Sequence, residues 1–95
     1  MEVFFHPDAV SEAAAARLWY AGHSPKAGAA FDAELDRTLV RLREAPLRWP
    51  PFGRGTRKVR LRRFPFAVIY RVGLDQIQVL AVAHLHRRPG FWETR

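Results

Sequence analysis

Five consecutive apolar residues, Val79-Leu80-Ala81-Val82-Ala83, constrain this chain more than any other feature. A strand sends alternate side chains to opposite faces, so a run with no polar position must be covered above and below. The run therefore predicts a central strand, from Gln76 to about His84, with a layer on each side. Two further strands precede it. In Arg57-Lys58-Val59-Arg60-Leu61-Arg62, strict alternation puts Val59 and Leu61 on one face and Lys58, Arg60 and Arg62 on the other. In Phe64 through Val72, Phe66, Val68, Tyr70 and Val72 share one side while Ala67 and Ile69 take the opposite one, and Gly73-Leu74-Asp75 supplies a hairpin turn. Residues 57–84 thus read as a three-stranded antiparallel meander.

The first half of the chain reads as a strand and two helices. Val3-Phe4-Phe5 is a short apolar run closed by His6-Pro7, and Pro7 suits the first turn of a helix, where its missing N–H has no intrahelical partner. That helix is expected from Pro7 to about Ala21, with Gly22 as its stop and Val10, Ala13, Ala14 and Leu18 on one face. Ser24-Pro25 repeats the start signal for a second helix reaching Glu44. Its buried stripe is Phe31, Leu35, Thr38, Leu39 and Leu42, and Pro46 ends it. With only Gly22 and His23 between them, the helices should form an antiparallel hairpin. Residues 45–56 carry too many prolines and glycines for a regular element and read as a loop fastened by Trp49 and Phe52. The fold class is α+β, in the order β-α-α-β-β-β. The hairpin covers one sheet face; the other needs the C-terminal tail, with Phe91 and Trp92, or a partner.

At 95 residues this is one domain, and 48% hydrophobic residues suffice to close a single core without staples. The chain has no cysteine, which excludes disulfides and thiolate metal sites. No apolar run approaches a membrane span, and the N-terminus lacks a basic segment followed by an apolar one, so a cytoplasmic location is expected. Charge is unevenly placed. Residues 1–47 hold 5 basic and 7 acidic side chains, whereas residues 48–95 hold 11 and 2. Such clustering draws an acidic partner, nucleic acid or protein, though a solvated edge strand shielded from aggregation would look similar.

Candidate chemistry is sparse. Lys58, Arg60 and Arg62, with Arg63 and Arg54 near, are spaced to follow a phosphate backbone or an acidic chain. His84 and His86 lie two apart at a strand end, but no third ligand accompanies them, so no metal or other cofactor is expected. Ser11 and Ser24 sit at helix starts, where capping explains them. Arg87, Arg88, Phe91, Trp92 and Arg95 combine cations with aromatics, which suits a single-stranded nucleic-acid surface or equally a tail that plugs the open sheet face.

Several stretches in order are similar to the RelE/ParE toxin superfamily: Phe5-His6-Pro7, Glu12-Ala13 with Trp19-Tyr20, Trp49-Pro50, Arg62 through Phe66, Ile69 through Val72, Val79 through His84, and Arg87 with Pro89-Gly90-Phe91-Trp92. The resemblance spans the chain as a single toxin domain. It implies a helical hairpin on a small antiparallel sheet and a bacterial type II toxin, of the kind linked to plasmid stabilisation, silenced by an acidic antitoxin. Operator DNA would be reached only through that antitoxin. One branch cuts messenger RNA in the ribosome; there an arginine commonly precedes the aliphatic-aliphatic-Tyr of the middle strand and a tyrosine often lies near the C-terminus. Here Ala67 and Phe91-Trp92 stand at those places, and neither transfers a proton nor stabilises developing charge. The pattern is closer to the ParE-like branch, whose members poison DNA gyrase and related type II topoisomerases. On that reading Lys58, Arg60, Arg62, Arg63, Arg87, Arg88 and Trp92 bind target or antitoxin. On the ribonuclease reading His84, Arg87 and Arg60 are the catalytic candidates. A non-toxic antitoxin-binding relative is the remaining alternative.

Overall fold

Pro7 and Pro25 each open a helix, and the capping groups beside them fix where each begins. In the computed structural model, which describes residues 1–95, the Nδ1 of His6 accepts from the Asp8 backbone N–H at 3.0 Å and the Ser24 hydroxyl accepts from the Ala27 N–H at 3.1 Å. The elements are β1 (Glu2–Phe5), α1 (Pro7–His23), α2 (Pro25–Glu44), β2 (Pro51–Gly53), β3 (Thr56–Arg60), β4 (Phe66–Val72) and β5 (Gln76–His84). This is the α+β order expected from the sequence, with one short strand added. No helix is long and apolar enough to cross a membrane.

Gly22 does not stop the first helix. The helix runs through it to His23, because Ser24 caps both neighbours: its N–H donates to the Tyr20 carbonyl while its hydroxyl starts α2. A one-residue link forces the two helices tightly together. Gly28 is the contact point, where an added Cβ would lie 2.8 Å from that of Ala21.

The buried face of α1 also differs from the expected one. Ala9 and Ala16 are buried, with Ala13 and Tyr20 packed beside them, whereas Val10 and Leu18 point to solvent and Ala14 is exposed. Small residues face the sheet because they let the helix approach β5 closely. In α2 the expected stripe holds: Phe31, Leu35, Thr38 and Leu42 are buried and Leu39 packs on the core.

The sheet has five strands in the order β1-β5-β4-β3-β2. The meander β3-β4-β5 is antiparallel throughout. β1 joins it parallel to β5, with Val3 opposite Ile77 and Phe5 opposite Val79, so the sheet is mixed. Within the segment read as a loop, Pro51–Gly53 pairs antiparallel with β3 and forms the other edge. Proline at an edge costs no ladder bond when its nitrogen faces outward.

The apolar run of β5 is central, between β1 and β4, and a bulge alters its phase. Ile69 faces Ala81 while Tyr70 faces Val79, so Leu80 is extra. Ile77, Val79 and Val82 consequently pack against the helices, and Leu80, Ala81 and Ala83 pack on the opposite face. There, Ala67, Ile69 and the three β5 residues are covered by Trp92, with Leu85 and Phe91 alongside. The tail, not a partner, supplies the missing layer.

Candidate functional site

Lys58 and Arg60 leave β3 on the tail side of the sheet, as alternation requires with Val59 buried toward the helices. The strand ends at Arg60, earlier than the alternation implied, and Arg62 and Arg63 belong to the turn into β4. A buried carboxylate shapes that turn. Glu34, 3% exposed on α2, accepts through Oε2 from the backbone N–H groups of Arg62 and Arg63 and through Oε1 from the Arg37 guanidinium at 3.2 Å. Burial alone would raise the Glu34 carboxyl, but the two backbone donors and Arg37 outweigh it and hold the group below its ordinary value. Phe64 follows in the left-handed region at φ 74°, where a non-glycine residue is strained. With the backbone fixed from beneath, both arginine side chains of the turn are exposed.

No carboxylate lies within 4.0 Å of the side-chain charge of Lys58, Arg60, Arg62 or Arg63; the chain's ion pairs fall elsewhere. The Lys58 ammonium rests 4.8 Å from the Phe52 ring centre, and the Arg63 guanidinium sits 5.5 Å from that of Phe64. Such contacts orient cations without neutralising them. The sequence reading missed Arg41, which extends this surface onto α2. Its guanidinium donates to the Arg60 carbonyl at 3.1 Å and to Thr38, and burial together with the Arg62 charge lowers its pKa. Arg48 adds a cation 5.6 Å from the Trp49 ring.

The C-terminal candidates are arranged differently. Arg87 pairs with Glu12 at 3.0 Å and lies 3.7 Å from the Phe91 ring centre. Arg95 is 10% exposed; it donates to Glu12, at 2.8 Å, and to the Leu80 carbonyl, and the Glu12 hydrogen bond raises its pKa. Glu12 also accepts from the Val82 N–H at 3.1 Å, so one carboxylate ties helix, central strand and tail together. Trp92 is 7% exposed and stacked 5.5 Å from Phe52: it packs the tail down and offers little surface to a partner. Arg88 is exposed and unpaired.

His84 packs edge-on against Phe66, and its Nδ1 accepts from the His86 backbone N–H at 3.1 Å. That bond assigns the neutral ring's proton to Nε2 and occupies the lone pair a general base would use. Phe66, opposite His84 in register, faces the helices, whereas Arg60 faces the tail side, so His84 and Arg60 project from opposite sides of the sheet. Arg87 and Lys58 border a hollow beneath the tail, also lined by Phe52 and Phe91; His84 reaches its lining from the strand end while its ring lies against Phe66 on the helix side. The volume of the hollow is about 60 Å³, well below the roughly 300 Å³ at which small-molecule pockets begin. No three metal-ligating side chains gather anywhere in the chain.

Glu12 and Glu34, the two carboxylates that organise these surfaces, were not recognisable as such in the sequence. Their partners are backbone N–H groups 70 and 28 residues away, which no spacing rule reports.

Residues 3–89 match the sequence profile of the ParE toxin of the type II toxin-antitoxin system parDE. No curated protein sequence matches the chain. Among solved structures, a chain of the chromosomal ParDE toxin-antitoxin system from P. aeruginosa superposes with a TM-score of 0.78 at 22% identity, over 90% of this chain and 97% of that one. A likeness at that identity speaks for the fold.

Proposed function

Since this chain belongs to the ParE toxin family of type II toxin-antitoxin systems, we propose that it is a non-hydrolytic poison of DNA gyrase or a related type II topoisomerase, silenced by an acidic antitoxin. The observation that carries this reading is the row Lys58, Arg60, Arg62 and Arg63, four cations without carboxylate partners, on a backbone held by the β3-β4 ladder at the first two and by Glu34 at the last two. Unneutralised charge on a fixed frame favours a large acidic partner, because little ordering entropy remains to be lost on contact. The groups needed for hydrolysis are engaged elsewhere: the His84 lone pair is occupied by the His86 N–H, Arg87 is held by Glu12, and Arg60 projects from the sheet face opposite His84.

Expression of the chain alone should arrest growth, and co-expression of the acidic protein encoded beside it should restore growth. Harmless expression, with no complex between the two, would overturn the proposal. His84 and Arg87 line one hollow on the helix side of the sheet, together with Glu12, which favours the ribonuclease alternative. His84→Gln decides between the readings: loss of toxicity with fold and antitoxin binding intact would assign acid/base chemistry to the imidazole, whereas a poison keeps its toxicity.

A further inference from the structure

The two edges of the sheet are defended unequally. At the β2 edge Pro51 removes a donor, the register with β3 shifts between Pro51 and Gly53, and Lys58 and Arg60 stand beside it in β3. Proline, irregular pairing and cations are what keep an edge from pairing with another chain. β1 has none of these. Glu2 to Phe5 run in unbroken register along β5, and Phe4 is 48% exposed.

The ladder also fixes where the free backbone groups of β1 point. The His6 N–H donates to the Val79 carbonyl at 2.8 Å, so alternation turns the N–H and C=O of Phe4 toward β5 and those of Val3 and Phe5 outward. No loop bonds the outward groups, and the Arg43 Nε reaches only the Met1 carbonyl, at 2.9 Å. This edge is complementary to itself. An antiparallel copy that exchanges backbone bonds between Val3 and Phe5 in each direction brings Phe4 against Phe4 and Glu2 against His6. The first is an aromatic cross-strand pair at the closer spacing, where side chains interact most strongly. In the second, His6 Nδ1 already accepts from the Asp8 N–H at 3.0 Å, so the proton sits on Nε2. That N–H can donate to the facing Glu2 carboxylate, which has no ion-pair partner within its own chain.

We infer that two copies of this chain associate through β1, antiparallel about a two-fold axis at Phe4, and so join their five-stranded sheets into one. Because β3 lies near the edge opposite β1, the dimer carries its two basic rows toward the outer ends of one continuous face. The association does not depend on which target or antitoxin the chain meets.

Sedimentation velocity and amide hydrogen exchange on the purified chain, over a series of concentrations, test the edge. A monomer–dimer equilibrium is expected, with the Val3 and Phe5 amides gaining protection as concentration rises and the Phe4 and His6 amides protected throughout. Phe4→Lys sets two like charges face to face at an exposed position and should weaken association at least tenfold with an unchanged circular dichroism spectrum. Glu2→Lys should weaken it less. Leu47→Ala, at an apolar position 66% exposed elsewhere, should associate like the parent. A chain that stays monomeric at every concentration overturns the inference, as does a dimer indifferent to Phe4→Lys in which Val3 and Phe5 remain unprotected. Protection of Val3 and Phe5 that appears only on adding the acidic protein encoded beside the chain would assign the edge to that protein and equally overturn self-pairing. Growth arrest on expression is a separate measurement, so each of these outcomes leaves the toxin reading standing.

Discussion

Toward the helices the sheet presents Val59, Val68, Tyr70, Ile77, Val79 and Val82, side chains large enough to interlock with Phe31, Leu35 and Leu42; toward the tail it presents three alanines, with Ile69 and Leu80. The first face is closed by 37 helical residues and a cluster in which Tyr20, Phe64 and Phe66 surround Phe31 at 5.3 to 5.5 Å. The second is closed by the Trp92 indole with Leu85 and Phe91 beside it, and Arg95 on Glu12 clasps the tail. A face sealed by an interlocked aromatic cluster shared between both helices and the sheet fails with the whole domain when its centre is removed, whereas a face sealed by a short tail can open locally. The candidate basic surface adjoins this second face.

The largest effect expected is on the helix side. Phe31→Ala removes the ring at the centre of the aromatic cluster and should cost about 4 kcal/mol in urea unfolding, with loss of exchange protection throughout the chain. Trp92→Ala should cost on the order of 3 kcal/mol, but with early loss of protection confined to the tail and β5. If both variants unfold the chain globally to the same degree, the contrast between the faces is wrong.

Glu34 gives a test that depends on pH. Its folded carboxyl lies below the ordinary value of 4.5, so the stability it contributes is fully present above that value and is lost as pH falls from there through the lower folded value. Glu34→Ala also strips two backbone donors of their acceptor and should cost about 2 kcal/mol at neutral pH. Urea midpoints measured from pH 7 to pH 3 should fall less steeply for Glu34→Gln than for the parent. Equal steepness would remove Glu34 from the account of the turn.

The meander, the central strand and the α2 stripe were legible because alternation and helical period act within a few residues. Other features were set by distant partners. The parallel place of β1 follows from Phe5 meeting Val79, a choice its own residues do not encode. The face of α1 was misread because Ala13 to Ala16 look alike at every angle, and the larger Val10 and Leu18 drew the stripe toward solvent. The bulge at Leu80 lies inside a run with no polar residue to mark the phase change. At the candidate site the basic row was readable from charge and spacing, and Trp92 was readable as a plug or a contact surface, whereas the choice between those two and the engagement of Arg87 emerged only once tail and helix met.

The smallest effect on folding belongs to the basic row. Arg60→Ala and Arg62→Ala remove exposed, unpaired charges and should change stability by no more than about 0.5 kcal/mol each. Their affinity for target or antitoxin should nonetheless fall and become less sensitive to salt, since fewer charges attract the partner. Unchanged affinity and salt dependence would reduce the row to a solubilising edge.

The most direct test of the proposed role is a DNA supercoiling reaction with purified gyrase, relaxed plasmid and the purified chain, in the absence of ribosomes. A topoisomerase poison should inhibit supercoiling or trap cleaved DNA, and the Arg60→Ala, Arg62→Ala double variant should relieve the effect at unchanged Tm. Unaltered DNA topology from a chain that arrests growth, with transcripts cut only on translating ribosomes, would contradict that role.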